Sequence, residues 1–357
     1  MLTKVKKVVV LGGSGLIGQQ FLRMLANHPK FELIGTFTSA NSAGQTVGDL
    51  WVLPRFDCPK RLEEFTYTDM IDLNSEEFDI AFSGLPASIS TNLESNLRSE
   101  GIAVFTNAGG HRMDDNVPIL IPEVNPDHAN LVKIQKELYG GNGFIVANAN
   151  CSATGAVLYL SELRKIIPFT SINITTYQAM SGAGKRGVAG LEISNNVIPF
   201  INAEEDKLRI ESLKMLGKMN SDSIEFAEYR VATNCARVNV VDGHLEAITV
   251  EPENGTSIDQ EKIISQLASI TSPLNLKNHP SAPKTHLKYL SGNNRPQPVK
   301  DVFFGDSAQT YGMVVTAGRI RVQDGFVNGF ALVHNTIRGG AGGSVLNAEF
   351  LLSKGMI

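Results

Sequence analysis

The chain has 357 residues, 42% of them hydrophobic, which exceeds the roughly 250–300 at which a single core stops growing and predicts two domains. A formal net charge of -4 gives no global electrostatic reason to bind nucleic acid or an anionic membrane, and the opening MLTKVKKVVVLGG shows no cleavage site or spanning segment. Cys58, Cys151 and Cys235 are too few for a disulfide framework and lack metal-type spacing, so a cytoplasmic protein without a metal site is expected.

Residues 5–11, VKKVVVL, predict a strand, GGSGLIG a turn, and QQFLRMLANHP a helix in which Phe21, Leu22 and Leu25 recur at helical spacing until Pro29. A second strand is read in FELIGTFTS. Two more follow in FDIAFSGLP and GIAVFTNAGG, separated by a polar helical segment. Alternating β and α units predict an α/β fold, a parallel Rossmann-type sheet doubly wound by helices. Beyond residue 150 the strands lengthen: SINITTYQAM, ARVNVVDGHLEAITVE and TYGMVVTAGRIRVQDGFVNGFALVH predict a second, α+β domain of mainly antiparallel sheet. The expected division is 1–149 for dinucleotide binding and 150–339 for the second domain, with a last helix at about 340–357 packing back on one of them.

The glycine loop admits two registers, Gly13, Gly15 and Gly18 as G-x-G-x-x-G, or Gly12, Gly15 and Gly18 as G-x-x-G-x-x-G. Placed between strand and helix, it brings backbone N–H groups and a positive dipole end to a pyrophosphate, with Ser14, Leu16 and Ile17 in the same turn. The end of the second strand, where an acidic residue would hold NAD ribose, reads TFTSANSAG. Thr38, Ser39, Asn41 and Ser42 carry no charge there, so the absence of a repelling carboxylate favours NADP. Leu85 and Pro86, at the end of FSGLP, complete the expected cofactor contacts on this half.

In VANANCSATGAVLYLSELRKIIP, Asn150 is a good N-cap, and Ala153, Ala156, Val157, Leu160, Leu163 and Ile167 form an apolar stripe that Pro168 ends. Cys151 therefore falls in the first helical turn, where free N–H groups and the macrodipole favour a thiolate and a lowered pKa. The alternative is a small buried hydrophobe.

RVNVVDGHLEAITV places Asp242-Gly243 between two β-type runs, which predicts a hairpin in which Val241 pairs with His244 and shares a face with Arg237 and Asn239. An imidazole suited to acid/base work and a guanidinium suited to a carboxylate would then address one small substrate. NAEEDKLRIESLKMLGK predicts a helix capped by Asn202 with Glu205 as capping-box partner, Glu204 and Lys207 sharing a face. Charge pairs at that spacing usually face solvent.

Taken together, GGSGLIG, HRMDDNVPILIPEVN, NANCSATG, QAMSGAG, NNVIPFINAEEDK, RVNVVDGH and HNTIRGGAGGSVLNAE resemble the aspartate-semialdehyde dehydrogenase family, in its branch typical of archaea and fungi. The resemblance implies a catalytic and dimerising second domain, a homodimer or homotetramer, and NADPH-dependent reductive dephosphorylation of β-aspartyl phosphate to the semialdehyde in lysine, threonine and methionine biosynthesis. By position it implies Cys151 as nucleophile and His244 as the acid/base for the thiol and the thiohemiacetal. Arg237 matches the clamp on the substrate carboxylate and Glu204 the ligand of its amino group. Lys207 and Arg112 match a phosphate-binding pair, while Gln178 and Asn150 match residues that orient substrate and acyl intermediate. Ser181, Gly182, Asn335 and Thr336 fall where the family contacts the nicotinamide half of the cofactor. Backbone N–H groups at the helix start are expected to stabilise the oxyanion.

Asn41 and Gln45 stand where the family has two basic residues after the second strand, so NAD remains an alternative cofactor. Lys185 and Arg186 follow SGAG in place of an aromatic and a proline, and Ala149 and Ala236 replace a usual proline and asparagine. Two other readings compete. A related reductase of acyl thioesters such as malonyl-CoA would share the cysteine but need no amino-group ligand, against which Glu204 and Lys207 argue. A non-catalytic nucleotide sensor would need neither Cys151 nor His244.

Overall fold

The computed structural model describes residues 5–357. The N-terminal part runs β1 (Lys6–Leu11), α1 (Leu16–Leu25), β2 (Phe31–Thr38), β3 (Thr68–Asp69), β4 (Ile80–Ser83), α2 (Ala87–Ser99), β5 (Ala103–Thr106), α3 (Leu131–Tyr139) and β6 (Phe144–Ala147). Its six strands are all parallel, in the order β3-β2-β1-β4-β5-β6. The central strands are buried on both faces because their inner residues are apolar: Val8, Val10, Phe82 and Phe105 pack with α1, whereas Val9, Ala81, Val104 and Ile145 face the other way.

The chain then forms α4 (Cys151–Leu163), β7 (Phe169–Gln178), a short α5 (Gly190–Ile193), α6 (Glu204–Met215), the small ribbon β8 (Lys218–Met219) and β9 (Ile224–Glu225), β10 (Arg230–Arg237) and β11 (His244–Pro252). After α7 (Gln260–Ala268), β12 (Leu287–Leu290) and α8 (Pro298–Asp301) come β13 (Val315–Gln323), β14 (Phe326–Val333) and α9 (Gly342–Ser353). The second sheet has the order β10-β7-β11-β14-β13-β12. Its three central pairings are antiparallel and the two outer ones parallel, so the sheet is mixed with an antiparallel middle.

The expected Asp-Gly hairpin does not form. β7 lies between β10 and β11, and residues 238–243 cross over its end, with Gly243 at φ +99° and its N–H held by Asn335 Oδ1 at 2.9 Å. Val241 is consequently exposed and pairs with nothing in the sheet. Two further expectations change. The cap of α6 is Ala203, in the left-handed region at φ +58°, and not Asn202, because Glu205 Oε1 is engaged by the Cys235 N–H. And α4 is not striped: every residue after Cys151 is buried, as an all-round apolar helix requires.

α4 lies against β7, β11, β13 and β14 on one side and against α6 and α7 on another. The final helix, α9, is also buried along nearly its whole length and packs on α1 and β5 of the first sheet. Among the described residues no helix is long and apolar enough to cross a membrane.

Candidate active site

Parallel and antiparallel pairing on either side of β7 brings three side chains of distant sequence into one row. Arg237 is the register partner of Gln178, and β11 runs past β7 so that His244 follows the Leu245–Tyr177 pair on the other flank. All three are buried, on the face covered by α4. The side-chain period of two, not a hairpin, is what puts Arg237 and His244 together.

Cys151 begins α4 above this row, its Sγ 3.2 Å from His244 Nε2. The other ring nitrogen, Nδ1, accepts the Ala179 N–H at 3.0 Å, and the Ala179 carbonyl accepts Arg237 Nη1 at 2.7 Å. The main-chain N–H and carbonyl of one residue, Ala179, therefore orient both groups. Gly182 leaves the space they occupy: a Cβ there would lie 2.7 Å from Arg237 Nη1 and 3.1 Å from His244 Cε1.

Asn150 caps α4 as expected, its Oδ1 accepting Ser152 N–H at 2.9 Å and Ala153 N–H at 3.1 Å. That cap engages two of the N–H groups expected to stabilise the sulfur anion and the oxyanion. Burial and the Glu204 carboxylate then push the Cys151 thiol up to about 12, opposite to the sequence expectation. His244, wholly buried and facing Arg237 and His334, is driven down to about 3, so the resting pair is a neutral thiol and a neutral imidazole.

Glu204 is not a solvent-facing charge. Its Oε1 accepts Asn150 Nδ2 at 2.9 Å and Gln178 Nε2 at 3.2 Å, while Lys207, one turn on, is exposed and does not pair with it. Arg112 is buried and strongly held: Nε donates to Asn148 O at 3.0 Å, Nη2 to Asn107 O at 2.8 Å, and Nη1 to Glu211 Oε1 at 3.1 Å. Glu211 Oε2 also accepts the Asn150 N–H at 3.0 Å. Lys214 fixes the same loop by donating to the carbonyls of Arg112, Asp114 and Val117 at 2.8–2.9 Å.

Sequence reasoning missed Glu211, Ala179, Gly339 and Gly340. Glu211 lies seven residues, two helical turns, after Glu204, a spacing that marks one face. Ala179 acts only through its peptide group and gives no side-chain signal. Gly339 presses on the nucleophile: a Cβ would lie 2.8 Å from Cys151 Cα, and one on Gly340 would lie 3.0 Å from Ile17 Cδ1, bringing this segment against the glycine loop.

At that loop both registers stand, because Gly12 and Gly13 are each required. Gly12 takes the turn at φ +78°, Gly15 is the open N-cap of α1, and a Cβ on Gly18 would overlap the Gly12 carbonyl. Gly13 is also obligatory, since a Cβ would collide with Thr36 Oγ1. No side chain caps α1, so its first N–H groups stay available to an anion, which fits a dinucleotide pyrophosphate. Ser14 Oγ and Thr38 Oγ1 are 2.8 Å apart at the strand ends, and Leu85 Cδ2 would be 3.2 Å from a Cβ on Gly12. Ser39 and Ser42 form the turn that follows β2. Pro86 precedes α2, which likewise has no side-chain cap. Across the cleft Asn335 bridges Ser181 Oγ at 2.8 Å and the Gly243 N–H, while Thr336 Oγ1 is 3.2 Å from Gln20 Nε2.

Residues 7–132 match the family model of the semialdehyde dehydrogenase NAD binding domain, and residues 160–338 that of the semialdehyde dehydrogenase dimerisation domain. The chain is 40% identical over 354 residues to the aspartate-semialdehyde dehydrogenase of Archaeoglobus fulgidus, covering 98% of this chain and 99% of that one. It is 35% identical to the Schizosaccharomyces pombe enzyme of the same name, covering 99% of each. The solved structure of aspartate semialdehyde dehydrogenase with NADP from Candida albicans superposes with a TM-score of 0.87 at 34% identity, over 99% of this chain and 100% of that one. This chain belongs to the aspartate-semialdehyde dehydrogenase family.

Proposed function

We propose that the protein catalyses the reversible, NADPH-dependent reductive dephosphorylation of L-aspartyl-4-phosphate to L-aspartate 4-semialdehyde through a thioester on Cys151. The observation that carries the reading is the Cys151–His244 contact of 3.2 Å within reach of both an anion ligand, Arg237, and a cation ligand, Glu204. An α-amino acid offers the complementary carboxylate and ammonium. Its ammonium, arriving at Glu204, cancels the negative charge that helps hold the thiol proton, so substrate binding itself activates the nucleophile.

Sγ then attacks the acyl carbon and phosphate leaves toward Arg112 and the exposed Lys207. Gln178 and Asn150, both tied to Glu204, orient the acyl group, and His244 stays on the sulfur. The residues that would hold the nucleotide are the 12–18 loop with Thr38, Ser39, Ser42, Leu85 and Pro86 on one side, and Ser181, Gly182, Asn335 and Thr336 on the other. When bound there, the dinucleotide supplies the hydride.

The polypeptide divides near residue 149, where α4 leaves the first sheet's last strand, and α9 returns to that sheet. A homodimer is proposed through the second sheet: α4, α6 and α7 cover one face, whereas Asn173 and Tyr177 of β7 point away from them and are exposed. A cytoplasmic location is proposed from three unpaired cysteines. The test is phosphate-dependent oxidation of aspartate semialdehyde, assayed with NADP and with NAD. Activity with phosphate and loss of it in Cys151→Ala are expected; reduction of malonyl-CoA without semialdehyde oxidation would overturn the reading.

A further inference from the structure

Arg23, near the C-terminal end of α1, is a cation without a counter-charge. Its guanidinium lies over the Phe56 ring, 4.2 Å from the centroid, and Nε donates to Gln20 Oε1 at 2.9 Å. Nη2 is buried and has no partner, no carboxylate pairs with the group among the described residues, and burial alone pulls its pKa down to about 10. It therefore stays charged at neutral pH. A largely desolvated cation with no counter-ion is unfavourable by itself, and an arriving anion relieves it.

The guanidinium borders a cleft of about 340 Å³ between α1, the segment holding Phe56 and Asp57, and the segment holding Gln309 and Tyr311. Asp57 lines the same cleft, and its carboxylate makes no ion pair among the described residues. Asn27 and Gln309 add amides, while Met24 and the rings of Phe56 and Tyr311 form an apolar wall. We propose that this cleft is a second amino-acid site, which takes a free α-amino acid with an apolar side chain, its carboxylate on Arg23 and its ammonium on Asp57. A phosphate ester or a dicarboxylate would satisfy Arg23 but set a further negative charge beside Asp57, so the pair selects a zwitterion. None of the walls belongs to the substrate site at Arg237 and Glu204.

Two side chains connect this site to the nucleotide. Gln20 Oε1 accepts from Arg23, and Gln20 Nε2 donates to Thr336 Oγ1 at 3.2 Å. Gln20 engages only one N–H of the guanidinium fork, whereas a carboxylate engages two, so an amino acid in the cleft draws Arg23 off Gln20 and leaves Thr336 less firmly held. Occupation thereby weakens the hold on NADPH, and by linkage NADPH weakens the hold on the amino acid by the same factor. This coupling rests on the nucleotide contacts proposed above; binding to Arg23 and Asp57 does not.

Calorimetric titration of the full-length protein with L-leucine and with L-methionine tests the site. At least one is expected to bind with Kd of about 1 mM or below, and L-leucinamide, which lacks the carboxylate, and N-acetyl-L-leucine, which lacks the ammonium, about tenfold more weakly or worse. Asp57→Asn and Arg23→Gln should each weaken binding about tenfold, while Glu204→Gln leaves it unchanged. Asp57 is exposed, so Asp57→Asn keeps the fold whatever Arg23→Gln does. No binding of either probe up to about 10 mM overturns the proposal. Binding that Asp57→Asn spares overturns it too, and its loss in Glu204→Gln would then place the amino acid in the substrate site. Saturating NADPH is expected to raise the Kd about fivefold, and an unchanged Kd overturns the coupling. These titrations need no turnover, so a protein that binds leucine in this way without oxidising the semialdehyde would fail the proposed reaction alone.

Discussion

Glu211 joins Arg112 to the main chain that carries the nucleophile: Oε1 lies 3.1 Å from Arg112 Nη1 and Oε2 accepts the Asn150 N–H at 3.0 Å. The site for the departing phosphate and the start of α4 thus share one carboxylate. Glu211→Gln keeps an acceptor for the Asn150 N–H but leaves a buried guanidinium without its counter-charge. We predict a loss of about 3 kcal/mol in unfolding free energy, read from denaturant melts, and a rise of about tenfold in KM for phosphate as Arg112 loses its orientation. An unchanged KM would separate Glu211 from phosphate binding.

The thiol of Cys151 is raised to about 12 by burial and by Glu204. A raised thiol pKa means little thiolate at neutral pH, so alkylation should accelerate with pH well past 8. Glu204→Gln removes the charge that favours the protonated form and should shift the alkylation profile to lower pH, while kcat/KM falls because the substrate ammonium loses its ligand. Iodoacetamide rates at Cys151, followed by peptide mass, check this; identical profiles would contradict it.

Glu246 is fully buried two residues from His244, and neither carboxylate oxygen has a partner among the described residues. Burial raises its pKa well above the ordinary carboxylate value, so it is protonated when folded. Between the unfolded and folded values the unfolded chain releases this proton and the native chain keeps it, so its contribution to stability falls as pH rises above about 4.5. Glu246→Gln should therefore melt progressively higher than the parent as pH is raised from 5 to 8. A constant difference in Tm would show that Glu246 is not the group responsible.

Gly182 lies against both Arg237 and His244. In Gly182→Ala the added methyl must displace one of them, so kcat/KM should drop at least about tenfold while the melting temperature moves little, the site being a surface turn and not core. Retained kcat/KM would mean that the turn shifts instead.

Asn41 is exposed in the turn after β2, with its carbonyl accepting Gln45 Nε2 at 3.0 Å. Placing a guanidinium there by Asn41→Arg should lower KM for NADP about fivefold and leave that for NAD unchanged, because only the former carries a 2′-phosphate. Equal changes for both nucleotides would place that phosphate elsewhere.

The first sheet was legible because its strands alternate with helices and because glycine turns have a local signature. The capped cysteine was legible too, since Asn150 and Cys151 are neighbours. What misled was non-local. Asp242-Gly243 has the composition of a hairpin, yet β7, some 65 residues upstream of β11, inserts between the two strands it connects. The thiol pKa departs from expectation for a related reason: burial and the Glu204 carboxylate, which comes from another part of the chain, outweigh what the helix start offers, where Asn150 already engages two N–H groups. Glu204 looked like a solvated charge because its inward partners, Asn150 and Gln178, come from other parts of the chain.

One continuous apolar cluster runs from Val9, Ala81 and Ile145 of the first sheet through α4 to Ile174, Ile248 and Val333 of the second. The helix with the sulfur at its tip is thereby an axle common to both halves of the molecule. Because that helix is packed into the apolar interiors of both sheets, its N-terminal tip with Cys151 is fixed by the two halves together.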